Sequence, residues 1–200
     1  MKLIFYLIIV LLLIWSIIML YGFFFSSRKD ISPINELSQD RLVLFYNKDF
    51  LTIPPLTWQE LKDLIPEFGL PLGRAENVEY SAEILSLLAD QDNLVNALKF
   101  YTEFADESKK VYNWNSRRKN SLEEFLSGQV AMVFAKKSDS HKFSSLNYGL
   151  SPFPKIELSQ NSPEFPVLDS NIRNIYKDLI EQVALKKMAA ERAVESYGLK

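Results

Sequence analysis

The chain has 200 residues, which is enough for one ordinary domain with its own core. Lys and Arg total 23 against 25 for Asp and Glu, and this near-balance disfavours a nucleic-acid binder, which usually has a basic surplus. The absence of cysteine excludes disulfides and thiolate metal sites, and a single histidine excludes a multi-histidine metal site.

The N-terminal segment predicts a membrane anchor. Residues 3–25 contain no charged side chain and would span roughly 34 Å as a helix, enough for a bilayer core of about 30 Å. A cleaved signal peptide is the alternative, but its apolar stretch is shorter and ends in small residues, whereas this one ends in three phenylalanines. The flanking charges leave the orientation of the span open. We expect residues 26–40, which are polar, to be a tether.

From Arg41 the sequence alternates strand and helix signals. The apolar run 41–46 predicts a buried strand. Thr57 with Glu60 forms a capping box for a helix that we expect to end at Pro66. Asn77 is the expected cap of the next helix.

The segment 93–105 has the clearest helical period. Its apolar face is predicted to pack on the sheet, while Lys99, Glu103 and Asp106 face water. Leu98 and Phe104 are expected to be the most buried members of the apolar face, which comprises Leu94, Ala97, Leu98, Tyr101, Phe104 and Ala105.

The second half is predicted to hold two more strands and three more helices. Residues 107–119 form a polar loop, and Ser121 begins a second capping box. Strands are expected at 130–134 and 147–151. Asp169 caps a helix, and a last helix carries a stripe comprising Leu185, Met188, Ala189, Ala193 and Tyr197.

Candidate chemistry is sparse. Glu123 and Glu124 could be paired catalytic carboxylates, but helix capping explains them better. His141 has no nearby base or nucleophile in the sequence, and we interpret it as a solvated surface residue. We therefore predict that the protein is not an enzyme and needs no metal or cofactor.

Two aromatic residues in the polar loop are more informative. Tyr112 and Trp114 must either pack onto the domain or meet a ligand, and both interpretations remain open. Sugars present apolar faces that stack on aromatic rings, and Asn113 and Asn115 could bind the hydroxyls.

The ordered motifs FYNKDFL, PPLTWQEL, GLPLGRAENV, VYNWN and SLEEFLSGQVAMVF resemble extracellular solute-binding proteins of bacterial ABC importers, in the sugar-binding, maltose-binding-like branch. The resemblance covers about 41–135. It rests on Tyr46-Asn47-Lys48, on Pro55, Thr57 and Trp58, on Tyr112, Trp114 and Asn115, and on Phe125, Gly128, Ala131 and Met132.

The resemblance implies an α/β fold, with residues 41–200 forming a single lobe like a periplasmic-binding-protein type II domain, shortened relative to the family. The transmembrane helix expected at residues 3–25 precedes this lobe and takes the place of the family's lipoprotein anchor. The resemblance also implies a ligand site in which Trp114 and Tyr112 stack on carbohydrate. Asn115, Asn77 and Tyr46 would supply polar contacts.

Two functions remain open at this point. The first is a membrane-anchored protein whose domain 41–200 lies on the extracytoplasmic side of the cytoplasmic membrane and captures carbohydrate for ABC permease subunits. The second is a reduced structural or interaction protein that has kept the lobe and lost ligand binding. Members of the family have two lobes around a cleft, so a single wall should bind sugar weakly.

Overall fold

The structure is a computed structural model that describes residues 41–112, 118–155 and 168–199. The predicted anchor at 3–25 and tether at 26–40 lie outside these ranges. No helix inside them has both the length and the apolar character needed to cross a bilayer. In chain order the elements are β1 (Leu42–Asn47), α1 (Trp58–Phe68), α2 (Ser81–Gln91), α3 (Leu94–Thr102), α4 (Ser121–Leu126), β2 (Met132–Lys136), β3 (Tyr148–Ser151), α5 (Ser170–Ala184) and α6 (Ala190–Ser196).

The strands form one sheet with β1 in the middle, in the order β2-β1-β3. Both neighbours run antiparallel to β1, so that Leu44 pairs with Phe134 on one side and Ser151 on the other. All six residues of β1 are buried, which explains its continuous apolar run. The mixture of helices and strands agrees with the expected α/β class, although the pairing within this sheet is antiparallel.

The first capping box is confirmed. The Thr57 hydroxyl accepts a hydrogen bond from Glu60 N at 3.2 Å, and Glu60 Oε2 accepts one from Leu56 N at 2.8 Å. The predicted end at Pro66 is two residues early, because α1 continues to Phe68. A proline in the last turn removes one backbone donor, and the helix then closes through Gly69 N, which donates to Ile65 O at 2.9 Å.

Two predicted helix caps are wrong, for a shared reason. Asn77 has a φ of 60° and does not cap α2, which begins at Ser81 after Tyr80. Asn120, and not Ser121, caps α4 by accepting a hydrogen bond from Leu122 N at 2.9 Å. Ser121 instead accepts a hydrogen bond from Glu79 N at 3.2 Å, so contacts between two distant loops override the local capping pattern.

The helix predicted from periodicity at 93–105 is confirmed as α3 and a following 3₁₀ turn (Glu103–Ala105). Leu98 and Phe104 are fully buried. However, α3 packs mainly on α2, α5 and α6, not on the sheet as predicted. Trp58 connects it to the sheet, because its ring lies 5.0 Å from that of Phe100 and 5.7 Å from that of Phe134.

The C-terminal helices match the prediction in part. Asp169 caps α5 as predicted, accepting a hydrogen bond from Ile172 N at 2.9 Å. The stripe predicted for the last helix is wrong in part, since Ala193 is buried but Leu185 and Tyr197 are exposed. Lys186 has a φ of 55°, which breaks the helical phase before α6 begins. The apolar face of α6 is therefore Ala190, Ala193 and Val194.

Candidate functional site

Tyr46 lies inside the sheet. It is 8% exposed, and burial raises the pKa of its hydroxyl. Its ring covers Gly149, the residue paired with it on β3, so closely that a Cβ at Gly149 would collide with the ring. Tyr46 thus packs the sheet in this structure, and its role as a ligand contact stays a prediction.

Asn77 holds two loops together. Its side-chain amide donates to the carbonyl oxygen of Arg118 at 2.5 Å, and its own carbonyl accepts a hydrogen bond from Ser121 N at 2.9 Å. The left-handed backbone at Asn77, a conformation that asparagine tolerates better than most residues, allows both contacts. Asn77 therefore fixes the C-terminal end of the loop that was predicted to bind ligand.

Tyr112 precedes the other end of that segment and makes two hydrogen bonds within its own turn. Its N–H donates to Lys109 O at 3.1 Å, and its hydroxyl donates to Glu107 Oε1 at 3.4 Å, while the side chain is half-buried. Trp114 and Asn115 lie outside the described residues. Three of the five predicted site residues, Tyr46, Asn77 and Tyr112, can therefore be placed. Tyr112 precedes the segment that carries Trp114 and Asn115, and Asn77 contacts Arg118 at the other end of that segment.

A second polar cluster lies where α2 begins. The Tyr80 hydroxyl donates to Asp139 Oδ2 at 2.6 Å, and Lys142 Nζ lies 2.7 Å from Oδ1 of the same carboxylate. Burial and the bond to Asp139 raise the pKa of Tyr80 far above its usual value. Burial favours a higher pKa for Asp139, but hydrogen bonds from Lys142 and Tyr80 outweigh it and lower that pKa. At neutral pH the tyrosine is neutral and the aspartate ionised, so this cluster has no proton ready for transfer.

A groove of about 370 Å³ runs between α1 and α3. Trp58, Gln59 and Lys62 line it from α1, and Asn96, Phe100 and Glu103 line it from α3 and the following turn. The Lys62 ammonium lies 4.4 Å from the centre of the Phe100 ring and 2.7 Å from Glu103 Oε2. The groove thus combines aromatic surface with amides and charges of both signs.

Sequence reasoning missed this groove. In the sequence, Trp58 contributes only to the family resemblance, and Glu103 is expected only to face water. The signal was present in the spacing of Asn96, Phe100 and Glu103, which places an aromatic ring among polar side chains on one helix face. Within the described ranges, no group of three Asp, Glu or His side chains could hold a metal ion.

Comparison with known proteins gives distant similarity to solved structures. No family model and no curated protein sequence matches the chain. Among solved structures, the chain is similar to the maltose-maltodextrin binding protein of the thermoacidophilic bacterium Alicyclobacillus acidocaldarius, with 16% identity and a TM-score of 0.45. The match covers 77% of this chain and 49% of that one, so the chain spans about half the length of that protein. A likeness of this strength bears on the fold at most and carries no argument about function.

Proposed function

We propose that this protein is a solute-binding-like component of carbohydrate import, in which Trp114 and Tyr112 stack on sugar rings while Asn115 and Asn77 bind hydroxyl groups. Residues 3–25 would hold it in the cytoplasmic membrane with the domain on the extracytoplasmic side. ABC permease subunits would be its partners. The order of motifs between 41 and 135 is the basis for the family assignment in this proposal.

One observation carries the choice of site. The side chain of Asn77 donates a hydrogen bond to the carbonyl oxygen of Arg118, which directly follows the segment that carries Trp114 and Asn115. Arg118 is further held by Glu124, with 3.6 Å between Nη1 and Oε2. Asn77, one of the residues proposed to bind hydroxyl groups, thus lies beside one end of the proposed recognition segment.

The proposal predicts weak sugar binding that depends on Trp114. Stacking on one aromatic ring is worth about 0.5–1.5 kcal/mol beyond area burial, so we expect dissociation constants no tighter than about 1 mM, near −4 kcal/mol. The test is to titrate maltose and longer oligosaccharides against the full chain in detergent and to follow tryptophan fluorescence. Trp114→Phe should abolish the response.

The control is Trp15→Phe, which makes the same chemical change in the predicted anchor and should leave the response intact. Absence of any response to sugars at tens of millimolar would contradict the proposal. So would an equal response from the Trp114→Phe protein.

The second candidate function is an interaction protein without a small ligand. It is favoured by the turn after β1, where Phe50 is 50% exposed and Ile53 is 45% exposed. Tyr46 and Asn77 also make contacts within the fold that would compete with a ligand. A negative sugar titration would support this alternative.

A further inference from the structure

We propose that the groove between α1 and α3 is a binding site for a linear organic amine, and that the chain's own Lys62 occupies part of it in the free protein. The residues that line this groove are not those assigned to sugar binding above, so the inference does not depend on the proposed function. Three features of the groove carry the inference: the Lys62 ammonium, the spacing along α3 and the balance of charge.

The Lys62 ammonium shows what this groove recognises. It sits 4.4 Å from the centre of the Phe100 ring and 2.7 Å from the Glu103 carboxylate. An aromatic face together with a carboxylate is a favourable environment for an ammonium group, through cation–π attraction and a charge-assisted hydrogen bond. A ligand amine would find the same two partners.

Lys62 is also easily displaced. Its side chain is 24% exposed and that of Glu103 is 37% exposed, so the pair is in contact with solvent. Exposed ion pairs contribute little to stability, and a lysine head can return to water while its stem stays packed. Releasing Lys62 therefore opposes ligand binding only slightly.

The spacing along α3 makes the site elongated. Asn96, Phe100 and Glu103 lie four and three residues apart on α3 and the 3₁₀ turn that follows it, which places them on one face. Asp92 lies in the connection that precedes α3, and all four residues line the groove. The nine residues of α3, about 13 Å of helix, therefore lie between the two carboxylate-bearing residues. An extended chain with an amine at each end can lie over Phe100 and approach both carboxylates.

Two lysines and two carboxylates line the groove, and their pairing leaves one of these carboxylates without a lysine among the described residues. Of the two lysines, Lys62 pairs with Glu103, and Lys99 pairs with Glu191 of α6. Asp92 accepts a hydrogen bond from the Asn93 side chain at 3.0 Å, and no Lys or Arg pairs with it in the described part of the chain. The carboxylate left over at Asp92 selects against anions and leaves a position for a second ammonium.

The test is calorimetric titration of the full chain in non-ionic detergent with spermidine at constant ionic strength. We expect saturable binding at one site, and weaker binding of n-butylamine, which can reach only one carboxylate. Glu103→Gln should weaken spermidine binding about tenfold, because it removes the ionic partner. Lys62→Met should strengthen it about three- to fivefold, because it removes the competing ammonium and keeps an apolar stem.

Glu67→Gln is the matched control, since Glu67 is an exposed glutamate at the end of α1 that does not line the groove. It should bind spermidine like the unmodified protein. Circular dichroism on each variant separates loss of binding from loss of folding. The proposal is overturned if neither the unmodified protein nor Lys62→Met gives saturable heat, or if Glu67→Gln weakens binding as much as Glu103→Gln. Equal competition by magnesium would also overturn it, by indicating a diffuse charge effect.

Discussion

Tyr46 and Gly149 face each other across the pairing of β1 with β3, and the missing side chain at Gly149 makes room for the tyrosine ring. An aromatic ring lying over a cross-strand glycine shields backbone that a larger residue would otherwise cover. The arrangement explains why a tyrosine can be almost fully buried in a strand without leaving a void. It also makes the glycine a packing requirement, independent of its backbone angles.

We predict that Gly149→Ala lowers the free energy of unfolding by about 1–3 kcal/mol, because the added methyl group overpacks the space taken by the ring. Urea denaturation followed by circular dichroism measures this. The same change in a Tyr46→Ala background should have a clearly smaller effect, since the ring that it meets is gone. Equal losses in the two backgrounds would locate the clash elsewhere.

At the scale of elements, α3 is a helix against which three other helices pack. It contacts α2, α5 and α6, and its face with Ala97, Leu98 and Tyr101 is buried among them. Its opposite face carries Lys99, which reaches Glu191 at the surface. The two faces therefore contribute to stability through different physical effects.

The contrast between adjacent residues on α3 can be measured. Leu98→Ala should lower the free energy of unfolding by about 2–5 kcal/mol, because it leaves a cavity among packed helices. Lys99→Ala should change it by less than about 1 kcal/mol, because an exposed ion pair contributes little. Thermal and urea unfolding of the two variants test this directly, and similar effects would mean that the buried face of α3 has been assigned wrongly.

The helix caps show what could be predicted from the sequence. Thr57, Asn93 and Asp169 cap their helices through bonds three residues long, so their role is readable locally. Ser121 instead bonds to Asn77 and Glu79, which lie more than forty residues earlier in the sequence, and no local pattern predicts these bonds. Local chemistry therefore predicted helix starts only where no distant segment competed for the same groups.

The two candidate sites also differ in whether local sequence or distant packing forms them. The loop with Tyr112 and Trp114 was recognised because an aromatic cluster in a polar segment is visible in the sequence itself. The groove at Phe100 and Lys62 exists only because α1 and α3 lie side by side, and residues on both helices were interpreted separately. A site formed by two helices cannot be predicted from the residue spacing within one helix.

At the scale of the whole molecule, the prediction to test is the membrane anchor at residues 3–25. We predict that the full-length protein stays in the membrane pellet after a carbonate wash, because 23 uncharged residues are long enough to span a bilayer. Replacing Leu13 and Ile17 with arginine should release it, since each central charge opposes insertion by about 2.5–3.5 kcal/mol. A soluble mature product that begins near Ser26 or Arg28 would instead indicate a cleaved signal.

The position of β1 at the centre of the sheet affects how the chain folds as it is synthesised. β1 is synthesised before its two partners, which are the later strands Met132–Lys136 and Tyr148–Ser151. The ribosome adds roughly 5–20 residues per second, so both edges of this apolar strand stay unpaired for several seconds. Arg41 before the strand, and Lys48 and Asp49 after it, place charges at both ends of this aggregation-prone segment. We therefore expect these three charges to disfavour pairing between nascent chains before β2 and β3 are made.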